Sequence, residues 1–352
     1  MRRVPTNPHV GADLTPMFKA HLELCGIGTG DSVLAFTNTR SNESYVSALM
    51  AASALVGAEF LQLTVPAGNG WMESRAVVEA WKSSTLVVGL LASMDTHWIY
   101  SKAHTEALAA GAKTLMIEEP EDVLLRLFPT EELKKRGEFG GKLMNEAKEI
   151  RVTSEAGTDL VMSKEGRKGK SQWGFSDIPG RWDHWPSAFT SCFPLDYTAQ
   201  GTLVIDAGDI VIPLQRYVQS PITCVIENGR IVSMTGEGAD ARLLSDFFRQ
   251  ANDDRAYLIS HIGWGNEHRA KWETLGLRFW EGGGVMDSEG YYGNMMIAFG
   301  ASAGGHSDGT NETSFHCDIP TRNHDFYLDG RKIVSRGEFT IPDLVAPGRS
   351  LA

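Results

Sequence analysis

Cysteine is scarce in this chain. The four residues, Cys25, Cys192, Cys224 and Cys317, stand far apart, which excludes CxxC redox motifs and thiolate zinc sites of ordinary spacing. Free buried thiols in a reducing cytoplasm are the expected state. Long apolar runs are absent too, and nothing approaches the roughly 18–20 residues of a membrane span. The N-terminal stretch has Arg2 and Arg3 but no apolar segment behind them, so no signal peptide is expected. Basic residues are outnumbered: 33 Lys and Arg against 44 Asp and Glu give a net charge of −11. That balance argues against nucleic-acid and anionic-membrane partners. No Walker A string occurs. Gly26-Ile27-Gly28-Thr29-Gly30 looks like a nucleotide fingerprint, but it precedes the first expected strand, whereas a dinucleotide loop follows a strand and opens a helix. It reads as a helix-stop turn.

The 352 residues are 42% hydrophobic and 22% charged, the composition of a globular protein large enough for two domains. Over residues 1–150, strand-like runs at 32–39, 58–65, 85–92 and 113–118 alternate with helical segments at 43–56, 72–82 and 98–110. This is the spacing of βαβ units and predicts an α/β domain with a mainly parallel sheet. Gly57 and Gly111 follow alanine-rich helices as C′ glycines should. A charged helical stretch at 129–150 leads out. Residues 151–352 read as an α+β domain rich in antiparallel strands, with hairpin signals at Asn228-Gly229 and Asp329-Gly330 and an amphipathic helix over 239–251.

The ten histidines offer more chemistry than the cysteines. His316-Cys317-Asp318 lies in an expected strand over 313–319, where residues i and i+2 share a face. An imidazole and a carboxylate so placed can hold one cation, and a second histidine would complete a two-His, one-carboxylate face with open positions. His261, expected where an apolar run gives way to a glycine-rich loop, is the preferred third ligand; His268, in a polar stretch, ranks below it. His306 and His324 flank the H-x-D strand in polar loops and read as surface residues, with Ser302 and His306 also weak pocket candidates. The segment Arg181-Trp182-Asp183-His184-Trp185 offers aromatic walls, Trp182 and Trp185, around a proton-transfer candidate, His184. Each is balanced by a buried aromatic cluster as the plainer reading. His97 and His104 bracket the helix after the third strand, near the carboxyl ends of the sheet where α/β ligands bind. His104 is the second proton-transfer candidate. Arg181 could recognise a carboxylate or serve the fold.

These residues carry a family resemblance. Residues 260–265, 293–300 and His316-Cys317-Asp318 resemble the second domain of the AmpS-type metallo-aminopeptidases. The whole chain more closely resembles the 2,5-dihydroxypyridine 5,6-dioxygenases, iron(II) enzymes on the same scaffold. The departures from the peptidase pattern point the same way. Phe189 stands where one peptidase glutamate is expected, Met296 where a histidine is, and His261 where a second glutamate is. The resemblance thus implies a mononuclear iron(II) site of His261, His316 and Asp318, a small N-heteroaromatic substrate opened by O₂ to N-formylmaleamate, and association into a homo-oligomer. A metal-dependent aminopeptidase or amidohydrolase is the alternative, and a non-catalytic protein with a vestigial site a third reading.

Overall fold

The structure is a computed structural model, and it describes residues 10–68, 70–91, 98–274 and 285–352. His97 and the run Gly282-Gly283-Gly284 lie outside these residues. The chain forms two compact units. One runs to Pro129 and takes in Gly174–Pro186 and Gly304–His306. The other comprises Thr130–Trp173, Ser187–Ala303 and Ser307–Ala352.

The first unit is built on five parallel strands in the order Glu59–Val65, Ser32–Asn38, Leu86–Gly89, Lys113–Ile117, Trp182–Trp185. Helices Glu43–Val56, Arg75–Lys82 and Lys102–Ala109 connect the first four strands. Local chemistry sets their ends. Asn42 and Ser101 cap two helices by accepting from Ser44 N–H and His104 N–H, and Gly57, at φ 79°, ends the first with a left-handed turn. Gly26 and Gly30, with φ of 65° and 94°, make the expected turn between helix Val10–Leu24 and the first strand. Phe36, Trp71, Trp81 and Trp98 pack into one core of this unit.

The second unit holds two large antiparallel sheets and a two-stranded one of Ile210–Val211 and Arg216–Tyr217. Eight strands run in the order Arg230–Gly236, Ile222–Glu227, Gln200–Ile205, Asp159–Ser163, Glu149–Ser154, His324–Leu328, Arg331–Ser335, Glu338–Phe339. Five more run His316–Thr321, Met295–Gly300, Ile259–Gly265, Phe189–Cys192, Lys170–Gln172. Both expected hairpins form. Asn228 and Gly229, and Asp329 and Gly330, all have positive φ, the backbone a tight two-residue turn between twisted strands requires. The two sheets share one core, with Ile150, Leu160 and Leu203 from the larger and Ile262, Ile297, Phe299 and Ile319 from the smaller. The four cysteines are buried and free. No described helix is long and apolar enough to cross a membrane.

The chain crosses between units at 129/130, 173/174, 186/187, 303/304 and 306/307, where the sequence placed one boundary near 150. Helix Glu131–Glu146 packs by its glycines: a Cβ on Gly140 would lie 2.9 Å from Thr190 Oγ1 of the second unit. The segment around His184 returns to the first unit as the fifth strand of its sheet, a long-range pairing that no local window of sequence carries.

Candidate metal centre

The site is assembled on one face of the five-stranded sheet. In the second unit Ile262, Ile297, Phe299, Cys317 and Ile319 point into the core. Side chains alternate along a strand, so the intervening residues face the other way. Ala298 pairs with Asp318 and Gly300 with His316. On the neighbouring strand the register slips between Ile259 and Ile262, leaving Ser260 and His261 opposite the single residue Ala298. Bulges of this kind re-aim a side chain, and here the bulge puts His261 on the face of His316 and Asp318. His261 is therefore the third residue of a seven-residue strand, not the start of a loop as the glycines after it suggested. The strand between the ligands keeps its site face small with Ala298 and Gly300. At Gly300, with φ of 100°, a Cβ would meet the Phe315 carbonyl oxygen at 2.2 Å, so only glycine fits.

His261 Nε2 and His316 Nε2 each lie 3.3 Å from an oxygen of Asp318, and all three side chains are largely buried. One donor atom from each fits within 4.8 Å of the others, the one such group among the described residues. Two donors bound at right angles about 2.1 Å from one ion stand about 3 Å apart, close to the observed spacing. Burial pushes the Asp318 carboxyl up, but the two imidazoles outweigh it and hold the group well below the usual carboxylate range. Burial lowers His261, with only partial compensation from Asp318. At His316 burial also lowers, but Asp318 overcomes it and the net shift is upward. An ionised carboxylate between imidazoles is a donor set for one divalent transition metal. His261 Nδ1 is buried with no hydrogen-bond partner among the described residues, so no carbonyl ties this ring into the fold as a packing histidine. Phe189 and Phe193 stand edge-on to it, with ring centres 5.7 Å away. Met296, fully buried, lies on the same face as Ala298.

The other candidates divide between the units. His184, on strand Trp182–Trp185 of the first unit, is buried, and burial drives its pKa down to about 3. Its Nε2 lies 3.6 Å from Glu118 Oε1, whose carboxyl is raised well above its ordinary value by burial and by Glu119. Sequence reasoning missed Glu118, although it ends the run predicted as a strand over 113–118. His104 is fully buried: Nδ1 donates to the Ile99 carbonyl at 2.6 Å and Nε2 accepts from Thr114 Oγ1 at 2.8 Å. Both ring nitrogens are thus used inside the unit, which makes His104 a packing histidine. Trp185 is not a pocket wall. Strand alternation turns it into the core, stacked on His21 at 4.0 Å between Phe18 and Phe128. Trp182, on the opposite side, stacks on His306 at 4.1 Å, so His306 is not a bare surface residue. His324, expected at the surface, is buried, with Nδ1 donating to the Arg322 carbonyl. Ser302 in the second unit is also buried; its hydroxyl accepts from Asn311 N–H and holds its own loop. Arg181 pairs with buried Asp183, a bond that serves the fold.

Comparison with known proteins bears on this arrangement. The family described as NicX, 2,5-dihydroxypyridine 5,6-dioxygenase, matches residues 13–341. A 2,5-dihydroxypyridine 5,6-dioxygenase of Pseudomonas putida KT2440 is 35% identical over 98% of this chain and 99% of its own length. A solved structure of 2,5-dihydroxypyridine dioxygenase from Pseudomonas putida KT2440 superposes with a TM-score of 0.89 at 33% identity, covering 96% of this chain and 99% of the other. Wild-type AmpT from Thermus thermophilus shares the fold alone, with a TM-score of 0.63 at 14% identity over 93% of this chain and all of that one. With a family match over nearly its whole length and a relative above 30% identity, this chain belongs to the 2,5-dihydroxypyridine 5,6-dioxygenase family.

Proposed function

We propose that this protein opens 2,5-dihydroxypyridine with O₂ to N-formylmaleamate, using iron(II) held by His261, His316 and Asp318. The observation that carries the assignment is the convergence of two buried imidazoles and one ionised carboxylate on a single sheet face. Both atoms of O₂ enter the product as the ring bond between carbons 5 and 6 breaks, so no outside reductant is needed. Iron(II), when bound, supplies the one-electron chemistry that lets O₂ react with a closed-shell ring, and a three-ligand face leaves it positions for small molecules.

The chain's own residues do the rest. Asp318 stays ionised and offers negative charge to the metal. His261 and His316 offer Nε2, and the edge-on rings of Phe189 and Phe193 keep water from His261. His184 is the proton-transfer group, a neutral imidazole with Glu118 beside it. Trp182 with His306 provides a flat aromatic surface suited to a planar ring. Four free, buried thiols fit a reducing cytoplasm. The hydrolase alternative needs a second set of donors, and Phe189 and Met296 offer no hard ligand where the peptidase pattern would place them.

Metal-free protein loaded anaerobically with iron(II) is expected to bind one ion per chain and to take up one O₂ per 2,5-dihydroxypyridine consumed. Zinc is expected to fill the site without turnover. Iron-loaded protein that consumes no O₂ with this ring, or a zinc form that hydrolyses peptides, overturns the reading. His184→Gln in the same assay should lower turnover about 10²- to 10⁴-fold with iron content unchanged.

A further inference from the structure

The face that carries the triad also carries a cation. Lys170 opens the edge strand Lys170–Gln172. It pairs with Ser191, which pairs in turn with Gly263, two residues beyond His261. Directly paired residues point to the same side of a sheet, so Lys170 extends from the face of His261, His316 and Asp318. Its Nζ lies 5.4 Å from the centre of the Phe193 ring, and that ring stands 5.7 Å from the ring of His261. One phenyl group therefore contacts both the ammonium and a member of the triad.

This ammonium is only partly compensated. Among the described residues it has no hydrogen bond or ion pair within contact distance. The charged groups that face it are Asp308, which favours the protonated form, and Lys168, which opposes it; burial dominates and lowers its pKa to about 8. Asp308 is already engaged by the backbone N–H of Lys168. A half-buried cation without a carboxylate is unfavourable, and a phenyl face offsets only part of that.

We propose that Lys170 is a substrate-binding residue, its ammonium taking one oxygen of the ring substrate while Phe193 flanks the ring. This rests on the ring-opening function above. The two oxygens of 2,5-dihydroxypyridine stand at opposite ends of the ring, so a metal and a single cation can each take one. Such a cation selects rings with a second oxygen across from the first. No proton or electron moves in making this contact.

The test is anaerobic calorimetry of iron-loaded wild type, Lys170→Met and Lys170→Arg with 2,5-dihydroxypyridine and with 3-hydroxypyridine, which lacks the second oxygen. Lys170→Met is expected to weaken binding of 2,5-dihydroxypyridine roughly 10- to 100-fold, the worth of one charge-assisted hydrogen bond. It should leave 3-hydroxypyridine, iron content and the melting temperature nearly unchanged. Lys170→Arg should stay within a few-fold of wild type. In turnover, KM of the wild type should rise above about pH 8, and this limb should vanish in Lys170→Met. Equal losses for both rings, or no loss for either, overturn the assignment. Wild type that binds the ring but does not open it refutes the function and leaves this contact standing. Wild type that binds neither ring refutes both.

Discussion

In the first unit His21 and His104 are buried among aromatic rings and backbone carbonyls and His184 is buried beside Glu118, while in the second His261 and His316 flank Asp318. Burial lowers His21 and His104 to about 4 and His184 to about 3, with no carboxylate strong enough to oppose it. In the second unit burial acts in the same direction, but Asp318 offsets it at His261 and reverses it at His316. The residue type is constant; the partner decides between packing and ligation. A histidine whose ring nitrogens reach carbonyls and hydroxyls is satisfied by the fold. One whose nearest polar neighbour is a shared carboxylate is left with an interaction that a cation completes.

This contrast can be broken by experiment. The largest effect should come from Asp318→Asn, which removes the charge that sets the second unit's histidines apart. Metal per chain should fall from one to near zero and turnover to background, measured by elemental analysis and O₂ uptake. Retained metal would mean that the two imidazoles suffice and the comparison is misplaced. Next, Trp185→Ala should destabilise the first unit by about 3–5 kcal/mol by emptying its stack on His21. Chemical denaturation reads this, and iron binding by the folded fraction should be unchanged. A loss of iron without a loss of stability would give Trp185 a role that its burial contradicts.

The smallest effect per residue concerns acid. The unfolded chain protonates His21, His104 and His184 near pH 6.5, whereas the folded chain does so only near pH 3–4. Stability from these groups is therefore full above about pH 6.5 and is lost as the pH falls towards those folded values. Each should contribute a loss of about 2 kcal/mol between pH 6.5 and pH 5. Melting temperatures at the two pH values measure the sum, and His104→Gln should reduce the difference. An unchanged melting temperature at pH 5 would show that these rings are not held neutral.

Much was legible in the amino-acid order alone. Alternation of strand and helix over the first 118 residues predicted the four parallel strands, because a covered parallel sheet needs apolar runs at crossover spacing. Asn228-Gly229 and Asp329-Gly330 predicted two hairpins, because few residues accept positive φ twice in succession. H-x-D predicted a shared face for His316 and Asp318, because a strand has a period of two. What failed was long-range. The fifth parallel strand follows the fourth by more than sixty residues, so the Trp182–Trp185 segment carried no sign of its membership, and Trp185 read as a pocket wall although its side of the strand faces the core. His104 read as an open base because its partners, Ile99 and Thr114, are chosen by packing.

By itself the sequence determined the two fold classes, the turns and the pair His316 and Asp318, all of which follow from local backbone preference and side-chain period. Only the tertiary structure decided that a bulge opposite Ala298 turns His261 towards that pair, and that Lys170 shares their face across three strands. Register is set by how two sheets bury one core, a property of the folded unit that no single segment encodes.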